Sequence, residues 1–245
     1  MHSLFGTKHL IILALCAIAI CAGSVLTRKW SLEKLTKVLL RVGVVSEFIK
    51  VFYYTIANEA TYGGILPKTD LPFHLCSIQI LFIFIIVFSS SRKLKELLLS
   101  FMIPSCLFGG IAALLIATSS SLNGGWILSV QYFGYHVALV VFAITLLRGA
   151  QLTLTFRHYV NCLKLLLGLM LFAVYINSIL YDGTSNINFM YVASPPQSGL
   201  PFLNENHGWL VYVVHYISLV LLCVTLCYGK PIVAAIREKR TKTAV

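Results

Sequence analysis

The chain is predicted to be an all-α polytopic membrane protein with seven transmembrane helices, N-terminus out and C-terminus in. Three observations lead there. Of its 245 residues 58% are hydrophobic and only 11% charged, with a mean hydropathy of +0.87, where a soluble domain carries roughly a quarter charged residues. The apolar residues fall into seven stretches near the length of about 20 that a spanning helix needs. The net charge of +11 sits mostly in alternate connectors between those stretches, the pattern of a topology signal. No segment interleaves basic and aromatic residues as a nucleic-acid-binding surface would, and no polar linker divides the chain. A single domain, 1–245, is expected.

The first span, 9–26, resembles a signal-peptide core, but Arg28 and Lys29 follow it. A secretory signal carries its positive cluster in front, so this is read as a retained helix. Its Ala19 and Gly23 suit close helix packing. The second span, 36–57, carries Glu47, Lys50, Tyr54 and Asn58 at intervals of three and four residues, one polar stripe. Glu47 and Lys50 would either neutralise each other or form a polar wall open to the outside.

The third span, 71–89, opens with "LPFHLCSIQI", where Asp70 is placed to cap the helix and Pro72 to fill its first turn. His74 and Cys76 would point about 200° apart on a regular helix, which argues against a two-residue metal clip. Cys76 shares a face with Gln79, and His74 with Ser77. In the fourth span, 97–118, Pro104, Gly109 and Gly110 are expected to bend the helix. The fifth, 126–147, places Ser129, Tyr132 and His136 on one face.

The sixth span, 162–181, ends with Asn177 and Tyr181. The connector after it, 182–207, is long for a compact bundle and holds Asn188 and Tyr191 within the apolar piece "INFMYV". It is expected to lie over the outer mouth as a lid or as an ordered surface loop. The seventh span, 208–228, carries Tyr212, His215 and Ser218, and residues 229–245 form a basic cytoplasmic tail with Lys230, Arg237, Lys239, Arg240 and Lys242. Basic residues cluster in the first, third and fifth connectors as well (Arg28, Lys29, Lys34, Lys37; Arg92, Lys93, Lys95; Arg148, Arg157), while the other three hold only Lys68. No internal repeat is visible.

Ionisable groups within a membrane are costly and face a partner or a cavity. The polar residues populate the outer halves of the helices, so a polar cavity reached from the outer leaflet is expected. None of the seven cysteines forms a CxxC pair, and no GxSxG, Walker, HExxH or dinucleotide motif occurs. A thiol at Cys76 and an imidazole at His136 remain. A thiolate formed beside a histidine is a competent nucleophile toward esters and thioesters.

"LPFHLCSIQI", "SVQYFGYH", "GTSNINFMYV" and the opening "FGTKHL" resemble the YwaF family of bacterial integral membrane proteins, which is related to eukaryotic transmembrane protein 164. The resemblance covers nearly all seven spans and implies a seven-helix fold. For the eukaryotic relative it implies acyl transfer between phospholipids through a cysteine and a histidine, which fall by position on Cys76 and His136.

The expected function is an integral membrane acyltransferase, or lipid acyl hydrolase, working on phospholipid acyl chains through a thioester on Cys76 with His136 as base. The residues expected to bind substrate are His74, Gln79, Tyr132, Glu47, Asn177, Asn188, Tyr191 and His215, with Gln79, Tyr132, Asn177 or Asn188 as oxyanion donors. Membrane lipid and a phospholipid substrate are the expected partners, with no nucleic acid, no metal and no organic cofactor. The bacterial plasma membrane is the expected location, or the endoplasmic reticulum membrane for a eukaryotic chain. Two alternatives stand beside this: a small-solute carrier or substrate-binding subunit of a transporter lined by Glu47, Lys50 and the asparagines, and a metal site drawing on Cys76, His136 and either His74 or His215.

Overall fold

A computed structural model describes residues 4–149, 152–184, 187–196 and 203–243. Among these the chain is all-α, with no strand. Helix α1 runs Thr7–Leu26 and α2 runs Leu32–Phe52, continuing through a π turn at Tyr53–Ala57. A short α3, Glu59–Tyr62, precedes α4 at Leu75–Phe88. Helix α5, Arg92–Pro104, passes through a π turn at Ser105–Gly109 into α6, Gly110–Leu115. The remaining helices are α7 (Ser119–Asn123), α8 (Trp126–Arg148), α9 (Phe156–Leu180), α10 (Trp209–Cys227) and α11 (Gly229–Thr243).

Side chains at the helix starts explain several boundaries. The Ser31 hydroxyl accepts from the Lys34 N–H at 3.2 Å and Ser91 accepts from the Leu94 N–H at 3.3 Å. At α9, Thr155 and His158 cap each other reciprocally. Each device satisfies N–H groups that have no partner in the first turn.

Among the described residues five helical stretches are long and apolar enough to cross a membrane: Thr7–Leu26, Arg92–Leu115, Trp126–Arg148, Phe156–Leu180 and Trp209–Cys227. The other two expected spans differ from these in composition or length. Helix α2 has 21 residues but carries Glu33, Lys34, Lys37, Arg41, Glu47 and Lys50. Helix α4 is strongly apolar but only 14 residues long. It starts at Leu75 and not at residue 71: Leu71, preceding Pro72, is held extended (φ −59°, ψ 151°), and Pro72 lies in the turn before the helix, not in its first turn. Asp70 accordingly closes a 3₁₀ turn, Lys68–Asp70, and does not cap α4; His74 stands at the cap position and no side chain caps the helix there.

Helix α8 is the central post, with α1, α2, α5, α6 and α7 packed around it. Helix α9 lies against α5, α10 against both, and α11 against α9. The main core joins Ile83, Phe101, Met102, Leu139, Phe142 and their neighbours; a smaller one joins Cys16, Leu114, Leu122 and Phe133. The outward faces are also apolar: Leu15 and Ile18 on α1, Leu171 and Tyr175 on α9, and Leu210 and Leu222 on α10 are all more than half exposed. Such continuous apolar exteriors suit lipid, not water.

Pro104 interrupts the regular α-helix of the fourth stretch. It ends α5, and the π turn follows it directly. Beyond this turn Gly110 lets α6 press on α8, since a Cβ there would lie 2.7 Å from a Val140 methyl.

Candidate functional site

A hydrogen bond joins the start of α4 to the middle of α8. Cys76 lies in the first turn of α4, where the backbone N–H groups have no side-chain cap and the positive end of the helix dipole is directed. The Tyr135 hydroxyl, from the middle of α8, donates to the Cys76 carbonyl at 2.8 Å. His136 follows Tyr135 in sequence, so this bond brings the imidazole's element to the level of the thiol.

His136 is 2% exposed. Its Nδ1 lies 2.7 Å from the Tyr132 carbonyl oxygen. A carbonyl only accepts, so Nδ1 carries the proton and Nε2 carries a lone pair. That Nε2 makes no hydrogen bond to any described group, the Cys76 sulfur included. The ring of Tyr132 packs 4.3 Å from that of His136.

The connector segment 187–196 completes the enclosure. Ile187, Phe189 and Met190 are buried, and His74 packs between Phe189 and Tyr191, with ring centroids 4.9 Å and 5.8 Å away. Burial, with the adjacent Cys76 thiol adding to it, pushes the Tyr191 phenol up to about 12. The Tyr191 ring on His74, the Tyr132 ring on His136 and the Tyr135 hydroxyl on the Cys76 carbonyl thus link three separate parts of the chain, 74–76, 132–136 and 189–191.

The model of the TMEM164 family matches residues 4–228, from the start of α1 to the end of α10. The chain belongs to the TMEM164 family. No curated protein and no solved structure matches it.

Other expected site residues of this TMEM164-family chain are engaged with the protein itself. The Gln79 amide donates to the Leu75 carbonyl and the Ser105 hydroxyl, and its oxygen accepts from the Cys106 thiol. The Tyr132 hydroxyl donates to the Ala113 carbonyl at 2.9 Å. Asn177 holds the Phe189 backbone N–H and carbonyl, and Asn188 bonds to Ala193 and Ser194. Glu47 pairs with Lys50 at 2.7 Å, and the same ammonium donates to the Asp70 carbonyl. His215 is exposed on α10. Among the described residues no group of three His, Cys, Asp or Glu side chains is arranged to hold a metal ion.

Tyr135, Ser105 and Cys106 belong to the site and were not anticipated from the sequence. Tyr135 had a signal, since it sits within "QYFGYH" beside His136. Ser105 and Cys106 had none: a serine and a cysteine after a helical proline read as packing residues until the π turn aims them at Gln79.

Proposed function

We propose that this TMEM164-family protein is a membrane-embedded acyltransferase, or lipid acyl hydrolase, that works on phospholipid acyl chains through Cys76 and His136. The observation that carries the reading is the state of His136: a buried imidazole with its Nδ1 proton committed to Tyr132 and its Nε2 lone pair unused. A buried polar atom without a partner is unusual in a native protein and calls for a reason. A general base that meets its proton only when substrate is bound supplies one.

In the proposed reaction Nε2 removes the Cys76 proton as the sulfur attacks the ester carbonyl carbon. The carbonyl electron pair moves to oxygen, giving a tetrahedral oxyanion. Collapse expels the lysophospholipid alkoxide, which takes the proton from the His136 imidazolium and leaves a thioester on Cys76. An acceptor hydroxyl, or water, then loses its proton to His136 and attacks the thioester, and the Cys76 thiolate leaves and is reprotonated. The uncapped start of α4 supports this role, since its N–H groups and positive dipole end favour both thiolate and oxyanion.

The membrane arrangement belongs to the same proposal: seven crossings, N-terminus out and C-terminus in. Helix α2 turns Val44, Val45, Phe48 and Phe52 outward while Glu47 and Lys50 pair inward, and α4 exposes Leu81, Phe84 and Phe88. Both behave as lipid-facing helices despite the charge of one and the shortness of the other. Segment 187–196 of the long connector would then cover the site from the outside, residues 185, 186 and 197–202 of that connector lying outside the described residues, in the bacterial plasma membrane or, for a eukaryotic chain, that of the endoplasmic reticulum.

The test is acyl release from a phospholipid by purified protein. His136→Ala is expected to lower the rate by about 100-fold or more. Cys76→Ser is expected to abolish the acyl adduct that intact-mass analysis detects on the wild-type protein. Full activity in both variants would eliminate the mechanism.

A further inference from the structure

The catalytic reading needs a donor for the oxyanion, and the side chains expected to supply one are occupied. Gln79, Tyr132, Asn177 and Asn188 all spend their polar groups on the protein's own backbone and side chains. One phenol in the same neighbourhood differs. Among the described residues the Tyr191 hydroxyl makes no hydrogen bond, and the residue keeps some accessible surface while its ring lies 5.8 Å from that of His74, two residues before Cys76.

The backbone that presents Tyr191 is held in an uncommon shape. Met190 and Tyr191 both have positive φ, 56° and 53°. Residues other than glycine rarely adopt that region, and they persist there only where the surroundings over-determine them. Here the surroundings do so. Asn177 grips the Phe189 peptide groups, the Tyr216 hydroxyl donates to the Met190 carbonyl at 2.7 Å, and the Tyr212 hydroxyl donates to the carbonyls of Tyr191 and Ser194. Three side chains from α9 and α10 thus fix three consecutive residues of a connector. The ring of Tyr191 is steadied against His74. The outcome of all these contacts is the position of one free phenol.

We propose that Tyr191 is a catalytic residue whose hydroxyl donates a hydrogen bond to the acyl carbonyl oxygen of the lipid ester as Cys76 attacks it. This inference rests on the acyl-transfer reading above. The donor acts from the connector side, opposite the backbone N–H groups at the start of α4. The hydroxyl keeps its proton throughout, so no bond in the balanced scheme changes. The site it completes takes a carboxylic ester or thioester carbonyl with its chain lying toward the bundle.

The experiment compares wild type, Tyr191→Phe and Cys76→Ala in detergent micelles. The donor is a diacyl phosphoglyceride carrying a fluorescent acyl chain, and the acceptor is a lysophosphoglyceride. Tyr191→Phe keeps the ring against His74 and is expected to lower kcat by about 100-fold, as loss of one oxyanion donor does. KM should stay within about twofold, because the bond strengthens only in the transition state. With a thionoester donor, whose sulfur is a poor hydrogen-bond acceptor, the gap between wild type and Tyr191→Phe should close; a merely structural role would leave it open. A ring-fluorinated tyrosine at position 191, similar in shape and a stronger donor, should raise kcat, and this readout stands even if Tyr191→Phe folds poorly.

Wild-type kcat in Tyr191→Phe, or a rate indifferent to ring fluorination, with Cys76→Ala inactive, overturns the Tyr191 assignment and leaves acyl transfer standing. Activity that persists in Cys76→Ala overturns the acyl-transfer reading and the Tyr191 role with it.

Discussion

Asn177 is the clearest case of a residue whose job is set by what it touches. Its side-chain oxygen accepts from the Phe189 N–H at 2.8 Å and its amide donates to the Phe189 carbonyl at 3.2 Å, both buried. Truncation leaves two buried backbone groups without partners, each costing about 1–3 kcal/mol. Asn177→Ala is therefore expected to lower the thermal midpoint in detergent by several degrees and, by freeing segment 187–196, to reduce activity as well. Asp70 gives a pH prediction. Burial raises its carboxyl above the ordinary carboxylate range, with Lys50 pulling the other way. The folded state then binds the proton more tightly than the unfolded chain, so this group's contribution to stability falls as pH rises through the window just above that range. Thermal melts across that window should show wild type losing stability relative to Asp70→Asn as pH increases; parallel curves would contradict the assignment.

At the scale of elements, two departures from regular helix shape the site. Helix α4 begins four residues later than the apolar pattern suggests, because Pro72 keeps Leu71 extended. The delay places Cys76 in a first turn, with an uncapped helix end behind it. The π turn after Pro104 is the second departure; it brings Ser105 and Cys106 onto Gln79 and so anchors α4 to the fourth stretch. Past that turn, α6 and α8 approach at Gly110, where an added Cβ would stand 2.7 Å from Val140 and 3.4 Å from the His136 carbonyl. Gly110→Ala should therefore destabilise by about 1–3 kcal/mol through overpacking. Val140→Ala should recover part of this, and a double-mutant cycle by thermal melting should return a coupling well above the additive error of about 0.5 kcal/mol. The strained pair Met190 and Tyr191 belongs here too: two left-handed residues cost roughly 1–2 kcal/mol each, which the hydrogen bonds from Asn177, Tyr212 and Tyr216 offset.

For the whole molecule, the apolar exterior and the paired interior ions describe a bundle made for lipid. The proposed orientation rests on the lysines and arginines that recur in alternate connectors of the sequence. A membrane-impermeant thiol reagent applied to intact cells should label a cysteine introduced at Gly64, in the connector before α4, and should spare one introduced at Arg157. The reverse pattern would invert the topology and move the site to the inner leaflet.

Composition and spacing alone determined that this chain is helical and membrane-bound, where its apolar stretches lie, and that Pro104 would interrupt one of them. These features are local: each depends on the residues of one stretch and the solvent around it. The sequence also singled out Cys76 and His136, because a thiol at a helix mouth and an intramembrane imidazole are unusual by themselves. It could not distribute the hydrogen bonds. Gln79, Tyr132, Asn177 and Asn188 looked as available as Tyr191, since a side chain's polar capacity is written in its identity, whereas its use depends on which carbonyl or N–H the fold brings within reach. Only the Tyr135 bond from α8 to α4, the packing of the 187–196 segment against α9 and α10, and the set of a π turn against Gln79 decided which of these groups are committed to the protein itself.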